Sequence, residues 1–177
     1  MIPEAKLSKS VNGVVPDGEG WFVLNARDAP WRHSAELGSD CPFARAEVFP
    51  ELGINLNTLR PGQPFCMYHA ENSQEDFLVL AGEALLLVEG QERPLRTWDL
   101  VHCPPWTEHV IVGAGDGPCV ILAVGAQHAT EEVVYPIAEV ALRHGAGVDT
   151  ETRVPAEAYA RFAAPTMGKY REGDLPG

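Results

Sequence analysis

Basic residues are scarce in this sequence. It contains 13 Lys and Arg against 25 Asp and Glu, so its formal net charge at pH 7 is −12 and its pI is near 4.8. Proteins that bind nucleic acids or anionic membranes neutralise phosphate groups with clusters of Lys and Arg. We therefore expect neither a nucleic acid nor a membrane among the partners of this protein.

Long apolar runs are also lacking. No stretch approaches the ~18 apolar residues that a membrane-spanning helix requires, and residues 1–10 lack the apolar segment of a secretion signal. We therefore expect a protein that remains in the cytoplasm.

Cysteines are few and form no Cys-x-x-Cys pair. The chain has four, which are too sparse for a disulfide framework. We expect them to be reduced and mostly buried. They are Cys41, Cys66, Cys103 and Cys119.

The 177 residues suit one domain with a sizeable core. Within this single domain, 1–177, the pattern divides the chain into three regions. Residues 1–44 are expected to form an N-terminal arm and a first strand, and residues 45–126 a barrel core. Residues 127–177 are expected to form a C-terminal extension.

Short apolar runs separated by turn residues predict a series of antiparallel strands in the middle of the chain. Closure into a barrel is the common way to remove the exposed edges of so many strands. The sequence therefore predicts an all-β fold, an antiparallel sandwich or barrel. The predicted strands are 21–25, 43–48, 53–59, 65–71, 75–80, 84–89, 91–95, 100–103, 109–112 and 119–124.

The two ends of the chain are expected to differ from this core. Residues 1–20 show no apolar periodicity and predict an arm, and residues 27–38 predict a loop or a short helical turn. Residues 155–162 contain good helix formers after a proline suited to the first turn, so a short C-terminal helix is predicted there. Residues 165–177 predict an extended tail.

Three side chains that can bind metal lie close together in one predicted strand-turn-strand unit. Alternation along a strand places His69 and Glu71 on the same face. Glu75 follows the polar turn 72–74 and begins the next apolar run, so an antiparallel return brings it opposite the first pair. An imidazole and two carboxylates suit zinc, iron, manganese or nickel better than calcium.

These residues resemble the first motif of the cupin superfamily. Its pattern is found here as Gly62, six residues, His69, one, Glu71, three, Glu75, six, and Gly82. The gap between Gly62 and His69 is one residue longer than the common spacing. Glu71 stands where the family most often has a histidine.

A second motif of the same family is partly present. Pro104, followed five positions later by His109, resembles its conserved core, whereas Trp98 and Trp106 stand where the family usually has glycine and Gly113 where it usually has asparagine. The resemblance covers about residues 45–126.

The resemblance implies a fold and a metal site. The family fold is an antiparallel β-barrel of the double-stranded β-helix, or jelly-roll, type. It holds one divalent metal, for which His69, Glu75 and His109 match the family ligands position by position, and Glu71 is a fourth candidate. Zinc is the metal we expect first, with iron, manganese and nickel as alternatives.

The function that these residues imply is the binding or conversion of a small polar organic molecule at a metal centre inside the barrel. Glu71 would be either a metal ligand or a catalytic general base acting on a metal-bound water. If the protein is an enzyme, the ligand set suits an isomerase, hydrolase, decarboxylase or dioxygenase. The alternative is a non-catalytic barrel that binds a ligand or is stabilised by its metal.

The arm at residues 1–20 and the extension after residue 124 exceed what a minimal barrel requires. We therefore expect a homodimer.

Overall fold

The structure is a computed structural model that describes residues 1–43, 48–128 and 130–176. Strands dominate it, and two short helices lie near the C-terminal end. The strands are β1 (Lys6–Ser10), β2 (Gly13–Asp17), β3 (Pro30–His33), β4 (Ser39–Cys41), β5 (Leu52–Leu59), β6 (Ala70–Glu71), β7 (Glu75–Ala81), β8 (Glu83–Val88), β9 (Gln91–Arg96), β10 (Leu100–Cys103), β11 (His109–Ala114), β12 (Cys119–Ala126), β13 (Val133–Val134) and β14 (Thr166–Lys169). The helices are α1 (Glu139–Arg143) and α2 (Pro155–Ala158).

The strands form antiparallel ladders. One sheet has the order β10-β7-β12-β5-β4-β3-β14 and a second has the order β11-β8-β9. Strands β6 and β13 pair separately, as do β1 and β2. Single bridges from Pro64 to Val112 and from His69 to His109 lay residues 64–69 along β11, which extends the second sheet.

The hydrophobic core lies where inward-facing side chains of the two sheets meet. Alternation along β7, β11 and β12 directs every second residue inward, so Phe77, Ile111 and Ile121 pack together with Leu59 of β5. Each of these four is almost completely buried. Burial of these branched and aromatic side chains fixes the register of each strand, because a shift by one residue would turn them outward.

The all-β prediction is confirmed. The predicted strands from residue 75 to residue 124 agree with β7 to β12 within two residues at each end, and the predicted strand 53–59 is β5. The ladders of the described residues run as two facing sheets, the jelly-roll form of an antiparallel barrel. The predicted C-terminal helix is present but shorter, at Pro155–Ala158.

Several predictions outside this core were wrong. Residues 22–25 form no strand, whereas the predicted loop 27–38 contains β3. The predicted arm 1–20 folds as the β1-β2 hairpin. Helix α1 was not predicted, because its five residues are too few to show a helical period.

Two more predicted elements need comment. The strand predicted at 65–71 is assigned as a strand only at its end, as β6. Most of the strand predicted at 43–48 lies outside the described residues.

Two tryptophans occupy backbone conformations that favour glycine. Trp98 has a φ of 77° and Trp106 a φ of 69°. These are the two positions where the sequence has tryptophan in place of the expected glycine. Both side chains are partly exposed, so packing offers little compensation for the strain.

Replacement of Trp98 by glycine is expected to stabilise the protein. The substitution relieves the left-handed strain, and the gain in unfolding free energy should be about 1 kcal/mol. Urea denaturation measures it, with Trp98→Ala as the matched control because alanine removes the indole but keeps the strain. Equal stability of the Gly and Ala variants would contradict the prediction that the left-handed backbone at residue 98 lowers the stability of the protein.

Candidate metal centre

His69 and His109 face each other across a β-bridge. The backbone N–H of His109 donates to the His69 carbonyl at 2.9 Å, and the N–H of His69 donates back to the His109 carbonyl at 3.2 Å. Directly paired antiparallel residues project their side chains to the same side of the ladder. The two imidazoles are therefore neighbours, with ring centroids 5.0 Å apart, and both are buried.

Each imidazole is oriented by a backbone carbonyl. His69 Nδ1 lies 2.9 Å from the Met67 carbonyl, and His109 Nδ1 lies 2.9 Å from the Thr107 carbonyl. A carbonyl oxygen only accepts hydrogen bonds, so both Nδ1 atoms carry hydrogen and donate. In the neutral ring, Nε2 then presents a free lone pair, which is the arrangement found in metal-binding histidines.

Glu75 completes a compact group of three. It is the first residue of β7, and its Oε2 lies 3.1 Å from His109 Nε2 and 3.5 Å from His69 Nε2. One ligand atom from each of the three residues lies within 4.8 Å of the others. The structure thus brings His109 together with Glu75 and His69, which precede it by 34 and 40 positions.

With His109 neutral and its proton on Nδ1, the approach of Glu75 to His109 Nε2 is not a hydrogen bond. Both Glu75 Oε2 and His109 Nε2 are buried and have no hydrogen-bond partner among the described residues. Two lone pairs 3.1 Å apart repel unless a proton or a cation lies between them. Ligand atoms at 2.0–2.2 Å from one ion are about 3–3.5 Å apart, so the observed separations fit a shared divalent metal.

The pKa values of Glu75 and His109 are shifted by the proximity of these two residues. Burial acts to raise the pKa of Glu75, but the adjacent His109 and His69 outweigh it and lower this pKa to about 2. Burial acts to lower the pKa of His109, but Cys103 and Glu75 outweigh it and raise this pKa to about 10. Glu75 is thus ionised at neutral pH, and its negative charge favours a positive charge at His109 Nε2, either a proton or a metal ion.

Glu71 lies beside this group but outside its compact set. It ends β6, and its Oε2 lies 3.9 Å from His69 Nε2. Burial raises the pKa of Glu71, and the negative charge of Glu75 raises it further. The Trp106 N–H donates to the Glu71 carbonyl at 2.7 Å, which fixes the turn between β10 and β11 against β6.

A pocket of about 400 Å³ adjoins Glu75. Its inner wall is formed by alternate residues of two strands, Asn55 and Asn57 on β5 and Ala123 and Gly125 on β12. The small side chains of Ala123 and Gly125 leave the space open. The sequence prediction missed Asn55 and Asn57, although two asparagines at alternate positions of a predicted strand are a visible signal, since asparagine is depleted in strands.

Other residues singled out from the sequence lie elsewhere. His102 is exposed and pairs with Asp76 at 2.7 Å. The four cysteines are all free thiols, in agreement with the prediction. Trp106 lies on the Glu71 side of β10, whereas Trp98 lies at the opposite end of that strand.

Comparison with known proteins identifies the fold. Residues 55–125 match the family model described as a cupin domain. A solved sugar phosphate isomerase from a cupin superfamily, from Silicibacter pomeroyi, is 20% identical over 85% of this chain and 83% of its own, with a TM-score of 0.53. A predicted oxalate decarboxylase from Thermotoga maritima is 20% identical over 60% of this chain and 99% of its own, with a TM-score of 0.53.

A third structure, a putative sugar phosphate isomerase from Acidithiobacillus ferrooxidans, is 28% identical over 47% of this chain, with a TM-score of 0.45. The match spans 55% of the length of that protein. The comparison with curated proteins found no significant match. In the described part of the chain, no helix has the length and apolar character needed to cross a membrane.

The family match spans β5 to β12 and therefore includes His69, Glu75 and His109, the group that could hold a metal ion. The two structures with TM-scores of 0.53 share the fold. The matched segment, residues 55–125, is similar in sequence to a cupin domain and has the fold of one.

Proposed function

We propose that this protein binds one divalent metal ion through His69, Glu75 and His109 and acts there on a small polar organic molecule. The observation that carries the proposal is the pair of buried, unpartnered atoms Glu75 Oε2 and His109 Nε2, which face each other at 3.1 Å. Burial of two unpaired polar atoms is unfavourable, and a shared cation removes the penalty.

The surrounding residues support a catalytic site. A bound divalent ion supplies Lewis acidity and lowers the pKa of water. Glu71 is the proposed general base, because its side chain is partly exposed beside the group and its Oε2 lies 3.9 Å from His69 Nε2, outside the compact set. Glu75 remains ionised and holds the two imidazoles in place.

The reaction class stays open among isomerase, hydrolase, decarboxylase and dioxygenase. The two similar structures with a TM-score of 0.53 are named as an isomerase and a predicted decarboxylase, and both activities fall within this set. Two imidazoles and one carboxylate also match the ligand set of non-haem iron oxygenases. Zinc remains the metal expected first, and the cytoplasmic location and the homodimer also remain predictions.

A second candidate is a metal-stabilised barrel without catalysis. It is favoured by the position of the ligands on three separate chain segments, since an ion would tie β7 to β11 and to the segment before β6. The pocket next to Glu75 favours the catalytic alternative, because a purely structural site needs no access for a small molecule. A third candidate, a metal-free barrel with an apolar cavity, would require His69 and Glu75 to be hydrogen-bonded to each other or to the backbone. His69 Nδ1 does donate to the Met67 carbonyl, whereas Glu75 Oε2 has no hydrogen-bond partner among the described residues.

Metal analysis of the purified protein tests the proposal. Wild-type protein should contain about one divalent ion per chain, and His69→Ala and His109→Ala should each lower metal affinity at least tenfold, because each removes a direct ligand. Inductively coupled plasma mass spectrometry gives the identity and amount of the metal.

His102→Ala is the matched control, since His102 is exposed and pairs with Asp76. It should retain the full metal content. Equal metal in the wild type and both ligand variants would exclude the proposed site.

A further inference from the structure

The pocket beside Glu75 has one wall made of polar side chains on neighbouring strands. The β-ladders pair Asn57 of β5 with Asp40 of β4, and Asp40 with Arg32 of β3. Paired residues share a face, so these side chains form a polar row, and all three line the pocket. Asn55, two positions before Asn57, projects from the same side of β5.

Asn57 is the unusual member of this row. Asn57 is only 7% exposed, and no hydrogen bond joins its side-chain amide to another described residue. Its amide atoms are not among the completely buried atoms that lack a partner, so the exposed part of this residue faces the pocket that it lines. An amide held at a pocket wall without a partner in the described part of the protein is available to bind a ligand there.

The charges of the lining favour a neutral ligand. Arg32 is the one cationic side chain among the described lining residues, and its guanidinium is held by Asp40 through contacts of 2.6, 2.9 and 3.1 Å. A bidentate pair of this kind leaves little positive charge for a phosphate or carboxylate. An anionic group placed away from the metal would also face the carboxylate of Asp40.

The hydrogen-bonding character of the wall favours hydroxyl groups. An asparagine amide both donates and accepts, and a hydroxyl group does the same. Two amides at alternate positions of one strand can therefore bind successive hydroxyls of one small molecule. The volume of about 400 Å³ is within the usual range for small-molecule sites.

We infer that Asn57, together with Asn55, selects a neutral, hydroxyl-rich small molecule, such as an unphosphorylated sugar or polyol, for the metal centre. This inference rests on the proposed function, because it assigns the substrate class of that same site. Part of the selective wall, Arg32 and Asp40, lies outside the matched cupin domain at 55–125. The cupin domain thus supplies the metal ligands, and the N-terminal strands add to the pocket.

Binding of D-ribose and D-ribose 5-phosphate to the zinc-loaded 177-residue protein tests the inference. The two probes are the same pentose without and with a phosphate on O5. Saturation-transfer NMR titration should show D-ribose binding to the wild type, with D-ribose 5-phosphate binding no more tightly. Asn57→Leu should weaken D-ribose binding about tenfold, because it removes both hydrogen-bonding functions at nearly constant size.

Asn55→Leu serves as a second variant if Asn57→Leu fails to fold, and it should weaken binding in the same direction. Gln91→Leu is the control, because it makes the same kind of replacement at an exposed position of β9 outside the pocket. Its D-ribose affinity should equal that of the wild type.

Three results would overturn the inference: no D-ribose binding to the metal-loaded wild type, much tighter binding of the phosphorylated sugar, or unchanged D-ribose affinity in the folded Asn variants. Metal content is measured on the same samples. Metal present with any of these results contradicts the substrate class alone, whereas metal absent from wild type and ligand variants alike contradicts the proposed function.

Discussion

Removal of the metal by a chelator is expected to lower the melting temperature of the wild-type protein by about 8–16 °C. A ligand present at about 1,000 times its dissociation constant stabilises the folded state by about 4 kcal/mol, and each kcal/mol shifts the melting temperature of a chain of this size by about 2–4 °C. Scanning calorimetry with and without EDTA measures the shift.

The large effect follows from where the ligands lie. Glu75 begins β7, His109 begins β11, and His69 lies in the segment before β6, so the three converge only in the folded chain. Without the ion, a proton on His109 Nε2 offsets part of the loss, because the neighbouring carboxylate of Glu75 favours the protonated ring. The expected shift is therefore below what an uncompensated buried carboxylate would give.

His109→Ala provides the decisive comparison for chelation. This variant should melt at a lower temperature than the metal-loaded wild type and should respond little to EDTA. A shift of equal size in His109→Ala and in the wild type would show that the chelator acts on another metal site. The absence of any shift in metal-loaded wild type would contradict a stabilising ion at these three residues.

The grouping of His69, Glu75 and His109 could be predicted from sequence because its geometry is local or set by strand pairing. The offset between His69 and Glu75 fits a strand, a turn and the start of the next strand, and an apolar run marks His109 as the start of a strand. The prediction that Glu71 shares the face of His69 placed it near the group. The sequence could not show that Glu71 Oε2 lies 3.9 Å from His69 Nε2 while Glu75 approaches more closely, because rotamers and the exact turn decide this.

The polar wall of the pocket could not be predicted for a different reason. Asn57, Asp40 and Arg32 are neighbours only because β3 and β4 extend the sheet beyond β5. Their pairing is non-local, and β4 has three residues, too few for a periodic pattern. The sequence before residue 40 instead predicts an arm, a strand and a loop.

Trp31→Ala is expected to destabilise the protein by about 3–5 kcal/mol, the range for removing a large aromatic side chain from a core. Trp31 is fully buried, and its indole N–H donates to the Ala26 carbonyl at 2.8 Å. It packs near Tyr170, with ring centroids 5.8 Å apart, and its strand pairs with β14. Urea denaturation monitored by circular dichroism measures the loss.

Trp98→Ala is the matched control, because Trp98 is 72% exposed and alanine keeps the same backbone strain. Its stability should stay within about 0.5 kcal/mol of the wild type. Equal losses of stability in the two variants would contradict a stabilising contribution from the buried side chain of Trp31.

The position of Trp31 next to Arg32 adds a functional consequence. Folded Trp31→Ala protein should keep its metal, since the ligands lie in other segments, but the pocket wall that contains Arg32 should be less well ordered. The Trp31→Ala variant should therefore lose order in the pocket without losing metal. This result is expected if the strands that carry the metal ligands and the added N-terminal strands are distinct parts of one site.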